Sequence, residues 1–111
     1  MSETLNSDLI GELRDIMEEE FPSLLETFVS ESARQYLDVR NAFQTGEMEV
    51  LRRAAHSLKG SCGNIGAERL KDTCEVIESS AREGTLDGLE ALIQRAEGEL
   101  DAVNQALQSY T

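Results

Sequence analysis

The sequence predicts an all-α fold, an antiparallel up-down four-helix bundle with an additional short N-terminal helix laid against it. Three observations predict it. Apolar residues recur at steps of three and four along most of the chain, the period of helices that pack on one another. The five aromatics, Phe21, Phe28, Tyr36, Phe43 and Tyr110, are few, so Leu, Ile, Val, Ala and Met must fill the core, which suits helix packing better than a sandwich. The breaks between periodic runs are short, and short connections make neighbouring helices antiparallel. With 111 residues, 40% of them hydrophobic, the chain is expected to form a single domain over 1–111 around one modest core.

The elements are justified in chain order. Leu5, Leu9, Leu13 and Ile16 form a first stripe, with Ile10 and Met17 beside it. "EFP" interrupts it. Pro22 suits the first turn of a new helix, and Glu18, Glu19 and Glu20 lie where a helix N-terminus favours negative charge. The second helix carries Phe21, Leu25, Phe28, Ser32, Tyr36, Val39 and Phe43, and "QTGE" ends it. A third helix is expected from near Glu47 to about Gly63, with "NIGA" as a kink or turn. A fourth carries Leu70, Cys74, Ile77 and Ala81 and stops at "EGTLDG". The last presents Leu89, Ile93, Ala96, Leu100, Val103, Leu107 and Tyr110. Nothing reads as a strand.

Charge narrows the function. A formal net charge of −12 repels a phosphate backbone and an anionic membrane surface, so neither nucleic acid nor membrane is expected as a partner. The start, "MSETLNSDLI", has no basic flank and no apolar run, and no stretch reaches transmembrane length, so a cytoplasmic protein is expected. Cys62 and Cys74 fall on apolar stripes and read as small buried hydrophobes. With His56 they make no standard zinc spacing, and no metal or cofactor is expected on this chain.

One stretch resists the purely structural reading. "AAHSLKGSCGNIG" holds the only histidine, His56. On a wheel at about 100° per residue from Leu51, the residues Ala54, Ala55, Leu58, Ser61, Cys62 and Ile65 lie within about 80°. His56 falls at about 140°, on the opposite face, with Arg52, Lys59, Gly60 and Gly63 around it. The wheel speaks against a core histidine; an idle surface histidine is the remaining bland reading. Gly60 weighs against it. A glycine inside a helix costs about 1 kcal/mol relative to alanine, and Leu58 and Cys62 continue the stripe past this one. Its missing side chain leaves room beside the imidazole.

Charge is a second, independent clue. Residues 52–71 hold Arg52, Arg53, Lys59, Arg69 and Lys71 against Glu68, a local +4 that leaves −16 for the rest. Such segregation suits a site for a transient negative group. A neutral imidazole is a nucleophile near physiological pH. A lysine one turn away can neutralise a phosphoryl group placed on the ring, and phosphoryl transfer needs chiefly positioning and electrostatics. There is no P-loop and no kinase glycine-rich loop, so no autonomous kinase activity is expected, and a partner must bring the phosphoryl group and any metal.

The segment "AAHSLKGSCGNIGAERLKDTCEVIE" resembles the signature of histidine-containing phosphotransfer (HPt) domains of bacterial two-component phosphorelays, through His56, Leu58, Lys59, Gly60 and Ser61. The resemblance spans essentially the whole chain. It implies that His56 accepts a phosphoryl group from a receiver-domain aspartyl phosphate and passes it to another receiver. It also implies that Lys59 screens the charge and that Gly60 gives steric access. Ser61 reads as structural. Arg52 and Arg53, with Gly63, are auxiliary or docking candidates. The implied partners are response-regulator receiver domains, with magnesium on the receiver, and a hybrid sensor histidine kinase. A monomer is expected, and a free-standing relay protein rather than a fragment. The chain departs from the family at one position: many members have a glutamine twenty-two residues after the histidine, and here it is Glu78. A carboxylate there can accept the imidazole N–H but opposes a phosphoryl group, so Glu78 is left outside the catalytic set.

Two other readings compete. A phosphorylation-independent helical adaptor or inhibitor would share the bundle and its acidic faces, but would not need His56, Lys59 and Gly60 together. An enzyme with its own substrate lacks a second nucleophile, base or pocket. For docking, Leu24 and Leu37 lie just off the core seam of the second helix; they read as core about twice as readily as contact residues.

Overall fold

The computed structural model describes residues 3–111. It contains α1 (Ser7–Met17), a single 3-10 turn (Glu18–Glu20), α2 (Phe21–Thr45), α3 (Met48–Ile65), α4 (Glu68–Glu83) and α5 (Leu89–Gln108), with no strand among the described residues. Helices α2 to α5 form the expected bundle, α3 packing on α2 and α4, and α5 closing against α2 and α4. The molecule measures 42 × 26 × 19 Å.

The seams are those the periodicity marks out. In α2, Phe21, Leu25, Phe28, Ser32, Tyr36 and Val39 are buried, joined by Gln35 and Ala42, whereas Phe43 is only partly covered. Leu51, Ala55, Leu58, Cys62 and Ile65 of α3 meet Leu70, Cys74, Ile77 and Ala81 of α4 in one continuous core cluster, which Leu89, Ile93, Ala96, Leu100, Val103 and Leu107 of α5 complete. Cys62 and Cys74 are free, buried thiols, and the hydrogen bond between them, with burial, pushes the Cys74 thiol far up. A thiol held that way supplies little thiolate and behaves as the small hydrophobe expected.

Two expectations need correction. Ile16, placed on the first stripe, is 77% exposed, while Ile10 is fully buried. Leu5, Leu13 and Met17 pack with Ile10 against the core, so of the expected stripe it is Ile16, near the end of α1, that turns to solvent. The third helix also outlasts the expected stop at Gly63, running through Asn64 and Ile65 to Gly66.

Gly66 is the pivot of this arrangement. It ends α3 at φ 77°, a left-handed conformation that glycine adopts without penalty. The next residue, Ala67, donates its N–H to the Cys62 carbonyl at 3.0 Å, capping the helix. Gly66 also receives α1: its carbonyl accepts the Asn6 N–H at 2.8 Å, and a Cβ built here would lie 2.8 Å from the Asn6 Cβ. Asn6 in turn caps α1 by accepting the Leu9 N–H, and its side-chain amide donates to Glu68 at the start of α4. One turn thus joins three helices.

Gly66→Ala combines backbone strain with a clash against Asn6, so a loss of about 2–3 kcal/mol is expected in chemical denaturation. Gly98→Ala, at an open mid-helix position of α5, should instead stabilise by about 0.5–1 kcal/mol. Equal effects of the two substitutions would contradict this account of the turn.

Candidate functional site

The site is built across the α3–α4 pair. The α3 apolar stripe faces the core, which turns His56 outward; its side chain is 64% exposed. Across the groove, α4 buries Ile77 and carries Glu78 next to it. The Glu78 side chain is only 6% exposed, a carboxylate lying inside the helix interface. Buried carboxylates survive only when partnered, and this one has three partners. His56 Nδ1 lies 2.9 Å from Oε2, the Lys59 ammonium 2.7 Å from Oε1, and the Arg82 guanidinium 3.3 Å from Oε2.

Protonation follows from this set. The Lys59 ammonium foremost, and the His56 ring after it, hold the Glu78 carboxyl below its ordinary 4.5, against burial, which acts the other way. An ionised carboxylate only accepts hydrogen bonds, so the proton of the Glu78–His56 contact sits on Nδ1. The neutral ring then carries its lone pair on Nε2. The carboxylate therefore fixes both the orientation of the ring and the nitrogen offered to a partner. Sequence reasoning left Glu78 out of the site; the only signal was its position twenty-two residues after His56, the distance at which α4 returns alongside α3.

The other candidates divide. Lys59 is beside His56, but its charge is committed to Glu78 and its side chain is 23% exposed. Gly60 and Gly63 lie on the exposed surface of α3, and a Cβ at either would meet nothing within 4 Å. Gly11 and Gly98 are equally open, so openness alone does not single out Gly60; its place one turn from His56 does. The Arg52 guanidinium is held by Glu49 at 2.6 and 3.0 Å rather than turned to the imidazole. Arg53 instead lines a groove of about 410 Å³ between α2 and α3, with Arg34, Asp38, Val50 and Ser57. Leu37 is exposed and so is not core, while Leu24 is partly buried against it. Ser61 has a structural partner, donating to the buried Gln35 of α2 at 2.8 Å one turn beyond His56.

Because the folded Glu78 carboxyl titrates below its unfolded value, its contribution to stability is fully present above pH 4.5 and is lost as pH falls through the lower folded value. Melting temperatures of the wild type and Glu78→Gln should therefore differ most near neutral pH and converge on acidification below about pH 4.5. A gap that stays constant down to about pH 3 would show that Glu78 is not held ionised by its partners.

Known proteins share the fold and part of the sequence of this chain. The family model described as "Hpt domain" matches residues 23–108. The crystal structure of histidine-containing phosphotransfer protein B (HptB) from Pseudomonas aeruginosa PAO1 superposes with a TM-score of 0.93 at 35% identity, over 99% of this chain and 96% of that one. A rice structure at 16% identity, with a TM-score of 0.83 over 95% of this chain and 79% of its own, shares the fold. Among curated rice proteins, pseudo histidine-containing phosphotransfer protein 1 is 28% identical over 89% of this chain, and pseudo histidine-containing phosphotransfer protein 5 is 29% identical over the same share. The chain spans 56% of the first and 69% of the second. No described helix is long and apolar enough to cross a membrane. With a family match over most of its length, and a near-complete superposition on a solved relative, this chain belongs to the Hpt domain family.

Proposed function

We propose that this protein is a phosphorelay intermediate in which Nε2 of His56 accepts a phosphoryl group from the aspartyl phosphate of a receiver domain and passes it to another receiver. The observation that carries the reading is the Glu78 carboxylate on His56 Nδ1 at 2.9 Å, which leaves the nucleophilic lone pair on Nε2 of an exposed ring. The Nε2 lone pair attacks phosphorus, the N–P bond forms, and the P–O bond to the aspartate breaks, its carboxylate leaving with the electron pair. Lys59 supplies the nearest ammonium for the transferred group. The receiver brings magnesium, and a hybrid sensor histidine kinase stands upstream.

Gly60 fits the same reading. The fold would accept an alanine there, since its Cβ meets nothing, so the helix gives up about 1 kcal/mol for something outside the chain. On this reading that something is the receiver, approaching close to His56. The exposed groove beside Arg53 and Ser57 extends the surface that a receiver would cover.

A second reading is kept because the rice relatives carry the word "pseudo" in their names: a phosphorylation-independent adaptor that binds a regulator through the same face. The test is transfer from a radiolabelled phospho-receiver with magnesium. Acid-labile, alkali-stable label on the wild type and none on His56→Gln is expected. No label on either protein, across the receivers of the source organism, would favour the adaptor. Gly60→Ala should gain about 0.5–1 kcal/mol of stability while slowing transfer from the receiver about tenfold, whereas Gly98→Ala gains stability without slowing it. Undiminished transfer by Gly60→Ala would remove the steric role of this glycine.

A further inference from the structure

Under the phosphotransfer reading, which the role argued here for Arg82 presupposes, Lys59 has two tasks that conflict. In the free protein its ammonium sits 2.7 Å from Oε1 of Glu78. A phosphoryl group on His56 brings further negative charge and needs that same ammonium. If Lys59 moves to it, Glu78 is left as a buried carboxylate without its nearest cation. A buried charge stripped of its partner is costly, and that cost would enter the barrier to phosphorylation.

Arg82 resolves the conflict. It stands one turn after Glu78 on α4, and its guanidinium already lies 3.3 Å from Oε2. Its side chain is 58% exposed, so it has room to shift. A guanidinium presents parallel N–H donors that match both oxygens of a carboxylate, which an ammonium cannot do. We propose that Arg82 is a positioning residue that takes over the Glu78 carboxylate when the Lys59 ammonium leaves it for the phosphoryl group on His56. Arg82 touches neither donor nor phosphorus. It sets how readily the lysine is released, and it keeps Glu78 ionised, with the Nδ1–H in place, throughout the transfer.

Phosphoramidate tests this without a receiver. Nε2 attacks phosphorus, the donor P–N bond breaks, and ammonia leaves with the electron pair. Docking is thereby removed from the measurement. Label on the wild type is read first; its absence there, and from a phospho-receiver as well, removes the phosphotransfer reading and this proposal together. With the wild type labelled, Arg82→Ala should slow phosphohistidine formation about tenfold, and Arg82→Lys should recover part of the rate. In a Glu78→Gln background, where no carboxylate needs a second cation, adding Arg82→Ala should change the rate by less than about twofold. A tenfold loss that persists in the Glu78→Gln background would mean that Arg82 acts on the donor directly, and would overturn the proposal. An unchanged rate in Arg82→Ala alone would overturn it equally. Thermal melts of each variant separate slowed chemistry from lost folding, and Arg82→Gln gives a second truncation of the charge.

Discussion

The site depends on one buried carboxylate. Glu78 lies inside the α3–α4 interface, where an ion without partners would destabilise the pair of helices. Its partners come from both sides, His56 and Lys59 from α3 and Arg82 from its own helix. Breaking such a pair by removing one member typically costs about 3–5 kcal/mol, and less here, because Lys59 and Arg82 both keep contact with water. The interaction that orients the imidazole is thus also one that fixes the register of α3 against α4. A slip of one residue along either helix would separate the carboxylate from the ring.

That register is set elsewhere as well. Gly66 turns α3 into α4 within two residues and receives the start of α1. The buried face of α3, from Leu51 to Ile65, locks its rotation, and Ser61 donates to Gln35 to tie α3 to α2 on the other flank. His56 therefore projects from a helix held on both sides, so the exposed imidazole stands on a rigid support. Rigid elements hold reacting groups more accurately than loops do.

Much of this was legible in the sequence. The periodic stripes gave the four long helices and their buried faces, because hydrophobic burial dominates helix packing and its period is local. The wheel put His56 and Gly60 on the outer face for the same reason. What local pattern could not give was how the α1 stripe is used: Leu9 lies against Gly66 and Ile10 enters the core, while Ile16 turns to solvent. Arg52 was similarly ambiguous: it shares a face with His56, but Glu49 one turn earlier holds its guanidinium. Glu78 was the largest omission. A carboxylate on a helix reads as surface charge until the partner helix is in place, and two of its three partners lie across that interface.

The exchange of an amide for a carboxylate at this position alters more than charge balance. An amide oxygen would accept the Nδ1–H bond, orient the ring equally well and leave the lysine uncommitted. A carboxylate occupies the lysine, a cost in the resting protein. On the proposed phosphotransfer reading, its return would come during transfer. Attack through Nε2 spends the lone pair of the ring while Nδ1 keeps its proton, so the phosphorylated ring carries positive charge. Glu78 faces that charge at 2.9 Å in a partly desolvated interface, where a charge-assisted hydrogen bond is roughly twice as strong as a neutral one. The ring charge is partial in the transition state and complete once the N–P bond has formed. On the proposed reading the Glu78–Nδ1 hydrogen bond would offset part of the cost of releasing Lys59 in the transition state, and would stabilise the phosphorylated ring more fully.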